Sequence, residues 1–210
     1  MAGRIASLLL LLLLAACGPR MVTANVTRFH SLPEAPPGQS FTILPEEAQR
    51  GSIEFGTYAE LVANALAAQG YRPIAARPGN PASDLVVLLR YGMEEGRTAV
   101  WSEPMYSGGL GYGWGPGRHH YGAGIGFPLG SPDIATYSVT NYPKWLEVDV
   151  LDGPDHRRGQ RRKVFEGRAF NDDSSRDLPG TMPYLVKALF DGFPGESGRT
   201  VRVRMPVPGS

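Results

Sequence analysis

The chain has 210 residues, with 21 basic and 20 acidic side chains, four histidines and a single cysteine, for a formal net charge of +1. That balance offers no bulk basic field to nucleic acid, and a lone cysteine excludes a disulfide framework and any zinc site built on several thiolates. The length suits one domain with a core large enough to fold without staples.

The first element is a leader. Arg4 precedes an apolar stretch from Ile5 to Ala16 that includes an unbroken leucine run, Leu8 to Leu14. A charged flank, a short apolar centre and small residues before a cleavage point read as a secretory signal, too short to span a bilayer as a helix. Its closing residues, Leu14-Ala15-Ala16-Cys17, resemble the lipobox of bacterial lipoproteins. The resemblance implies cleavage before Cys17 and acylation of that cysteine, which removes the thiol from redox and nucleophilic chemistry. The alternative is an ordinary signal peptide with an incidental cysteine. Gly18, where lipoprotein sorting would place an inner-membrane retention Asp, implies the periplasmic face of the outer membrane. The reading divides the chain into a signal peptide (1–16), a lipidated tether (17–21) and a single domain (22–207), attached to the membrane through its acyl chains.

Val22 to His30 is rich in β-branched residues and reads as a strand, followed by a Pro- and Gly-rich break. Phe41 to Leu44 is a short strand stopped by Pro45. Phe55, Tyr58, Leu61, Val62, Ala65 and Leu66 recur at three- and four-residue spacing. They predict a helix capped by Ser52 and stopped by Gly70. Tyr71 to Ala75 is an edge strand, since Pro73 cannot donate to a ladder. Leu85 to Leu89 is a continuous apolar run, which fits a strand covered on both faces. A further strand is expected near Val100 and Trp101. Residues 107–130 hold ten glycines with scattered aromatics. They read as a long loop, part of a Gly/aromatic insertion at about 104–135.

Regular pattern then returns. Leu146, Val148 and Val150 alternate with polar partners, a turn follows at Asp152-Gly153-Pro154, and Lys163 to Phe170 supplies the returning strand. Thr181 is the expected cap of a second helix, with Pro183 in its first turn. Met182, Leu185, Val186, Leu189 and Phe190 form its apolar stripe, and Gly192 and Pro194 end it. Val201, Val203 and Met205 alternate with Arg202 and Arg204 as a last strand. Two helices and at least five strands give an α+β, two-layer sandwich: a mainly antiparallel sheet with both helices on one face, plus the long Gly-rich loop.

Ser52 to Val62, Ala67 to Tyr71 and Ser83 to Val87 in the first half, with Leu146 to Asp152, Val164 to Arg168 and Leu185 to Pro194 in the second, resemble the bacterial lipoproteins grouped as domain of unknown function family 4136. The resemblance implies an α+β envelope domain and carries over no catalytic residue. One departure is Glu166, where the family more often has an aromatic.

Five cations, Arg157, Arg158, Arg161, Arg162 and Lys163, cluster at the hairpin turn. They could meet anionic lipid or an acidic glycan, or simply form a solvated turn. Tyr112, Trp114 and Tyr121 are candidates for contact with a partner protein. His119-His120 reads as a solvated pair and Asp172-Asp173 as a polar turn, so no metal site and no cofactor is expected. Gly-x-Ser-x-Gly, phosphate-loop and His-Glu-x-x-His motifs are absent. The expectation is a non-enzymatic envelope lipoprotein, a binding or structural module, with membrane and possible envelope-protein or anionic partners and no nucleic acid. Two alternatives stay open. One is a small hydrolase assembling Asp172, Asp173 and His119 in three dimensions, and the other a homo-oligomer formed through the edge near Pro73.

Overall fold

The computed structural model describes residues 20–32, 38–75, 83–105 and 133–207. The leader, Cys17 and most of the glycine-aromatic insertion, including Tyr112, Trp114, His119, His120 and Tyr121, lie outside the described residues. The strands are β1 (Met21–His30), β2 (Ser40–Leu44), β3 (Arg72–Pro73), β4 (Leu85–Met93), β5 (Arg97–Met105), β6 (Asp133–Asp152), β7 (Lys163–Asp173) and β8 (Arg199–Pro206). The helices are α1 (Ile53–Ala68), α2 (Gly153–Arg157) and α3 (Leu178–Phe190). The sheet runs β3-β2-β4-β6-β7-β1-β8, with β5 paired to β6 off that path. All pairings are antiparallel except those of β2 with β3 and with β4.

Strand parity decides which face is dry. Ala24 and Val26 of β1, Val87 and Leu89 of β4, Leu146, Val148 and Val150 of β6, and Phe165 and Ala169 of β7 all join one core. Phe55, Tyr58, Val62 and Leu66 of α1 and Met182, Leu185, Val186 and Leu189 of α3 close it from above. Both long helices therefore lie on one face, as the sequence pattern predicts. Fully burying such a side chain contributes about 1.5–3 kcal/mol. Gly167 lets α3 approach β7, because a Cβ there would sit 2.8 Å from Leu189 Cδ1. On the opposite face a small second cluster, Val86, Leu88 and Leu151, confirms that β4 is covered on both sides at its start.

α1 begins as expected: the Ser52 hydroxyl accepts from the Phe55 N–H at 3.2 Å, and Gly70 turns the chain at φ +93°. α3 begins earlier than the sequence predicts. Asp177, not Thr181, is its N-cap, accepting from the Gly180 N–H at 2.8 Å. Pro179 fits the first turn because its missing N–H had no helical partner there. Thr181 is buried inside the helix and donates its hydroxyl to Asp177 O at 2.6 Å. Pro183 consequently lies within the helix rather than in its first turn.

Two buried cations from the sheet hold α3 at both ends. Arg28 occupies an apolar-parity position of β1. Its Nε donates to Leu189 O (2.9 Å), and its Nη2 donates to Ala188 O (2.9 Å) and Asp191 O (2.8 Å). A helix C-terminus leaves such carbonyls unpaired and slightly negative, and a planar guanidinium fork reaches several at once. Burial pulls the Arg28 pKa below its ordinary value, against the opposing pull of Asp191. Lys144, fully buried in β6, donates to Asp173 Oδ1 (2.8 Å), Ser175 O (2.6 Å) and Tyr142 O (3.1 Å). It fixes the loop that leads into α3.

Replacing Arg28 by Met keeps the stem and removes the fork. The variant should lose about 3 kcal/mol of stability, read from its urea midpoint at unchanged slope. A loss no larger than that of an ordinary surface substitution would show the clamp to be dispensable.

Candidate functional site

The face away from the helices is a charged lattice. Arg90 of β4, Glu147 and Asp149 of β6, and Glu166 and Arg168 of β7 share it by register, with Lys163 beside a shift in the β6–β7 pairing. Arg90 reaches Asp149 at 2.9 Å, Glu147 at 3.1 Å and Glu46 at 3.5 Å. Arg168 pairs with Glu147, and Lys163 pairs with Glu166 and, at 3.1 Å, with buried Asp149. Burial lowers the Arg90 pKa, but Asp149 and Glu147 outweigh it and the net direction is upward. The hydrogen bond to Glu166 raises that of Lys163. A shallow cleft of about 360 Å³ opens between these residues and the half-exposed Phe29. Each carboxylate on the lattice faces a cation, so the arrangement is electrostatically closed. It solvates an otherwise bare sheet face.

The basic cluster lies in the β6–β7 connection, around α2. Asp152 caps this helix by accepting from the Asp155 N–H at 2.9 Å. Arg162 pairs with Asp152 at 2.7 Å and also with Asp155, and Arg158 pairs with Asp155. Arg157 donates to Ser83 O at 3.0 Å. Gly153 is required here, since a Cβ would fall 2.1 Å from Ser83 O. Three of the five cations thus hold the turn together and Lys163 joins the lattice, whereas Arg161 is exposed and without an ion pair among the described residues. The hydrogen bond from Arg162 keeps Asp155 below the usual carboxylate range. Asp84 is lowered likewise, by the Ser40 hydroxyl at 2.7 Å and N–H at 2.8 Å.

Asp172 and Asp173 do not form a pair, because successive strand residues point to opposite faces. Burial raises the Asp173 pKa, but the Lys144 ammonium and the Ser175 N–H outweigh it and the net direction is downward. Asp172 is exposed. Their proposed companion His119, the partner candidates Tyr112, Trp114 and Tyr121, and the lipidation candidate Cys17 lie outside the described residues. Among the described residues no three His, Cys, Asp or Glu side chains gather as metal ligands, and no helix is long and apolar enough to cross a membrane.

The sheet has two distinct ends. Met21, the first residue of β1, marks one. The basic turn caps the other, together with His30 and the start of β4. From the Met21 end β5 and the first half of β6 continue as a two-stranded ribbon, paired from Arg97↔Asn141 to Met105↔Asp133. The strand expected near Val100 and Trp101 is β5, and its partner, the first half of β6, begins at Asp133, inside the stretch read as the insertion.

This arrangement has a counterpart in sequence. A family profile, Domain of unknown function (DUF4136), matches residues 25–195. The chain belongs to that family. The DUF4136 match takes in the clamp on α3, the charged lattice and the ribbon. No curated protein matches the chain. Among solved structures, a PDZ domain protein from Parabacteroides distasonis aligns with 14% identity and a TM-score of 0.44, over 96% of this chain and 42% of that one. This chain therefore spans less than half its length. Two PelC dodecamer structures from Paraburkholderia phytofirmans align with 13% and 12% identity and TM-scores of 0.39, each over 79% of this chain and over 93% and 94% of theirs. Likeness at this level bears on neither ligand nor partner.

Sequence reasoning missed Arg28, Lys144 and the Arg90–Asp149 pair. The signal was present for the first two: each is a cation in the slot where strand alternation calls for an apolar residue. For the lattice there was none, because cross-strand register is not written in any one segment.

The depressed carboxylates set a pH dependence. A lowered folded pKa contributes stability above the unfolded value near 3.9, and that contribution is lost as pH falls through the folded pKa. Stability should be level through neutrality and fall below about pH 4, and Asp155→Asn should flatten that acid limb in chemical denaturation. At neutral pH, Asp173→Ala should cost about 3 kcal/mol, because it strands a buried ammonium. Lys144→Met should cost less, since water reaches the half-exposed Asp173. The reverse order would show that the ammonium is not held by that carboxylate.

Proposed function

We propose that this DUF4136 chain is a lipid-anchored, non-catalytic module of the bacterial envelope, held by acyl chains on Cys17 at the periplasmic face of the outer membrane. The carrying observation is the spacing between leader and fold. Leu-Ala-Ala-Cys ends four residues before Met21, where β1 enters the sheet between β7 and β8. Cleavage before Cys17 leaves a tether and nothing more, so processing removes no part of the domain. The neutralised lattice supports a binding or structural role over catalysis, since acid–base chemistry wants groups with unmet proton demand. The partner is another envelope protein or an anionic glycan. The basic turn, with exposed Arg161, lies at the end of the sheet opposite Met21 and the anchor.

Expression of the full chain in a Gram-negative host tests the anchor. Intact mass should show a processed protein carrying a diacylglyceryl-modified Cys17, recovered in outer-membrane fractions. Cys17→Ala should abolish both the modification and cleavage at that bond. A Cys17→Ala protein that is cleaved at the same bond and stays membrane-bound would overturn the reading.

A further inference from the structure

The β5–β6 ribbon is the part of the fold that internal packing does not account for. A two-stranded ribbon buries too little to hold itself in water, and beyond β6, β5 has no substantial contact with another described element. One of its faces is aromatic and apolar, and the other sets two exposed apolar side chains among hydroxyls. Trp101 stacks on Tyr137 with ring centroids 6.0 Å apart and 23° between planes, on the same face as Val139. On the other face Val100 and Ile134 are 64% and 69% exposed, interspersed with the hydroxyl pairs Thr98–Thr140 (2.8 Å) and Ser102–Thr136 (3.3 Å). Among its described side chains only Arg97, at the base, and Glu103 are charged.

Position decides what meets this surface. Carrying the β1–β7 and β6–β7 registers outward sets Met21 level with Asn141. The ribbon therefore starts where β1 starts and runs away from the sheet. Nine residues of extended strand carry it roughly 30 Å beyond that level, whereas the four residues from Cys17 to Met21 reach at most roughly 14 Å. With Cys17 acylated, so short a leash keeps the base of the ribbon within that reach of the bilayer surface. The ribbon is longer than the leash, so a tilted domain lays it along the headgroups without driving its tip into hydrocarbon.

We infer that the β5–β6 ribbon is a second membrane contact, seating Trp101, Tyr137 and Val100 in the headgroup layer of the leaflet that holds the acyl anchor. Trp and Tyr favour that layer, where a ring has an apolar body and a wet polar tip. Glu103 and the hydroxyl pairs keep the ribbon interfacial rather than in hydrocarbon. The inference rests on the acylation of Cys17 proposed above.

The test uses the full acylated chain carrying Ser102→Cys. The Cys17 sulfur is then a thioether, so position 102 offers the sole thiol for an environment-sensitive dye. The protein is reconstituted on phosphatidylethanolamine–phosphatidylglycerol vesicles with and without a nitroxide-bearing phospholipid. Arg161→Cys, at the far end of the sheet, is the reference. The dye at 102 should shift to the blue and lose most of its emission to the nitroxide, and the dye at 161 should do neither. Protein that floats with the vesicles while the two positions behave alike would overturn the ribbon contact and leave the anchor standing. Protein with no acyl mass that fails to float would overturn the anchor reading and the ribbon inference with it. Trp101→Ser combined with Tyr137→Ser should reduce quenching at 102 with acylation and circular dichroism unchanged, whereas undiminished quenching would remove the aromatics from the proposal.

Discussion

A helix lying on a sheet needs its polar ends satisfied as much as its apolar stripe. In this domain the sheet itself does that work for α3. Arg28 gathers three carbonyls at the C-terminal end, and Lys144 gathers the loop ahead of the N-terminal end. Both cations come from core-facing slots, where desolvation would be costly for an unpaired charge. Three oriented acceptors offset that penalty at each site. The helix is thereby fixed in position along the sheet as well as against it, which an apolar stripe alone does only loosely. Gly167 then lets Leu189 settle against β7, and the core closes around this fixed element.

With the helix layer so placed, the opposite face has no second layer to cover it. It is instead covered by ion pairs in which carboxylates and cations alternate across β4, β6 and β7. Isolated surface pairs contribute little, but a network that shares Arg90 and buried Asp149 restrains each member in advance. The same economy governs the β6–β7 turn, where Asp152 and Asp155 absorb the charge of Arg158 and Arg162. Within that run of basic residues, Arg158 and Arg162 are held by ion pairs inside the turn itself.

What the sequence made legible follows from how local each signal is. The α1 boundaries, the β6–β7 hairpin, the edge position of Pro73 and the shared face of the two helices all rest on periods and caps within single segments, and they match. The start of α3 was misplaced because Thr181 and Asp177 are both plausible caps, and choosing between them depends on Pro179 fitting the first turn. The ribbon was only half legible: Val100 and Trp101 suggested a strand, but the length of β6 depends on its partner across the insertion. The charged lattice and the two-ended character of the sheet depend on register between distant segments. The resemblance of Leu14 to Cys17 to a lipobox rests on one contiguous stretch that lies outside the described residues.

β6 belongs to two structures at once. Its second half is flanked by β4 and β7 in the middle of the sheet, and its first half is one leg of the ribbon. Any lateral pull on the ribbon is therefore delivered to the centre of the domain along a continuous strand. There it loads many backbone hydrogen bonds in parallel rather than peeling them one by one. Such geometry suits a body that must stay intact while a load is applied at one end.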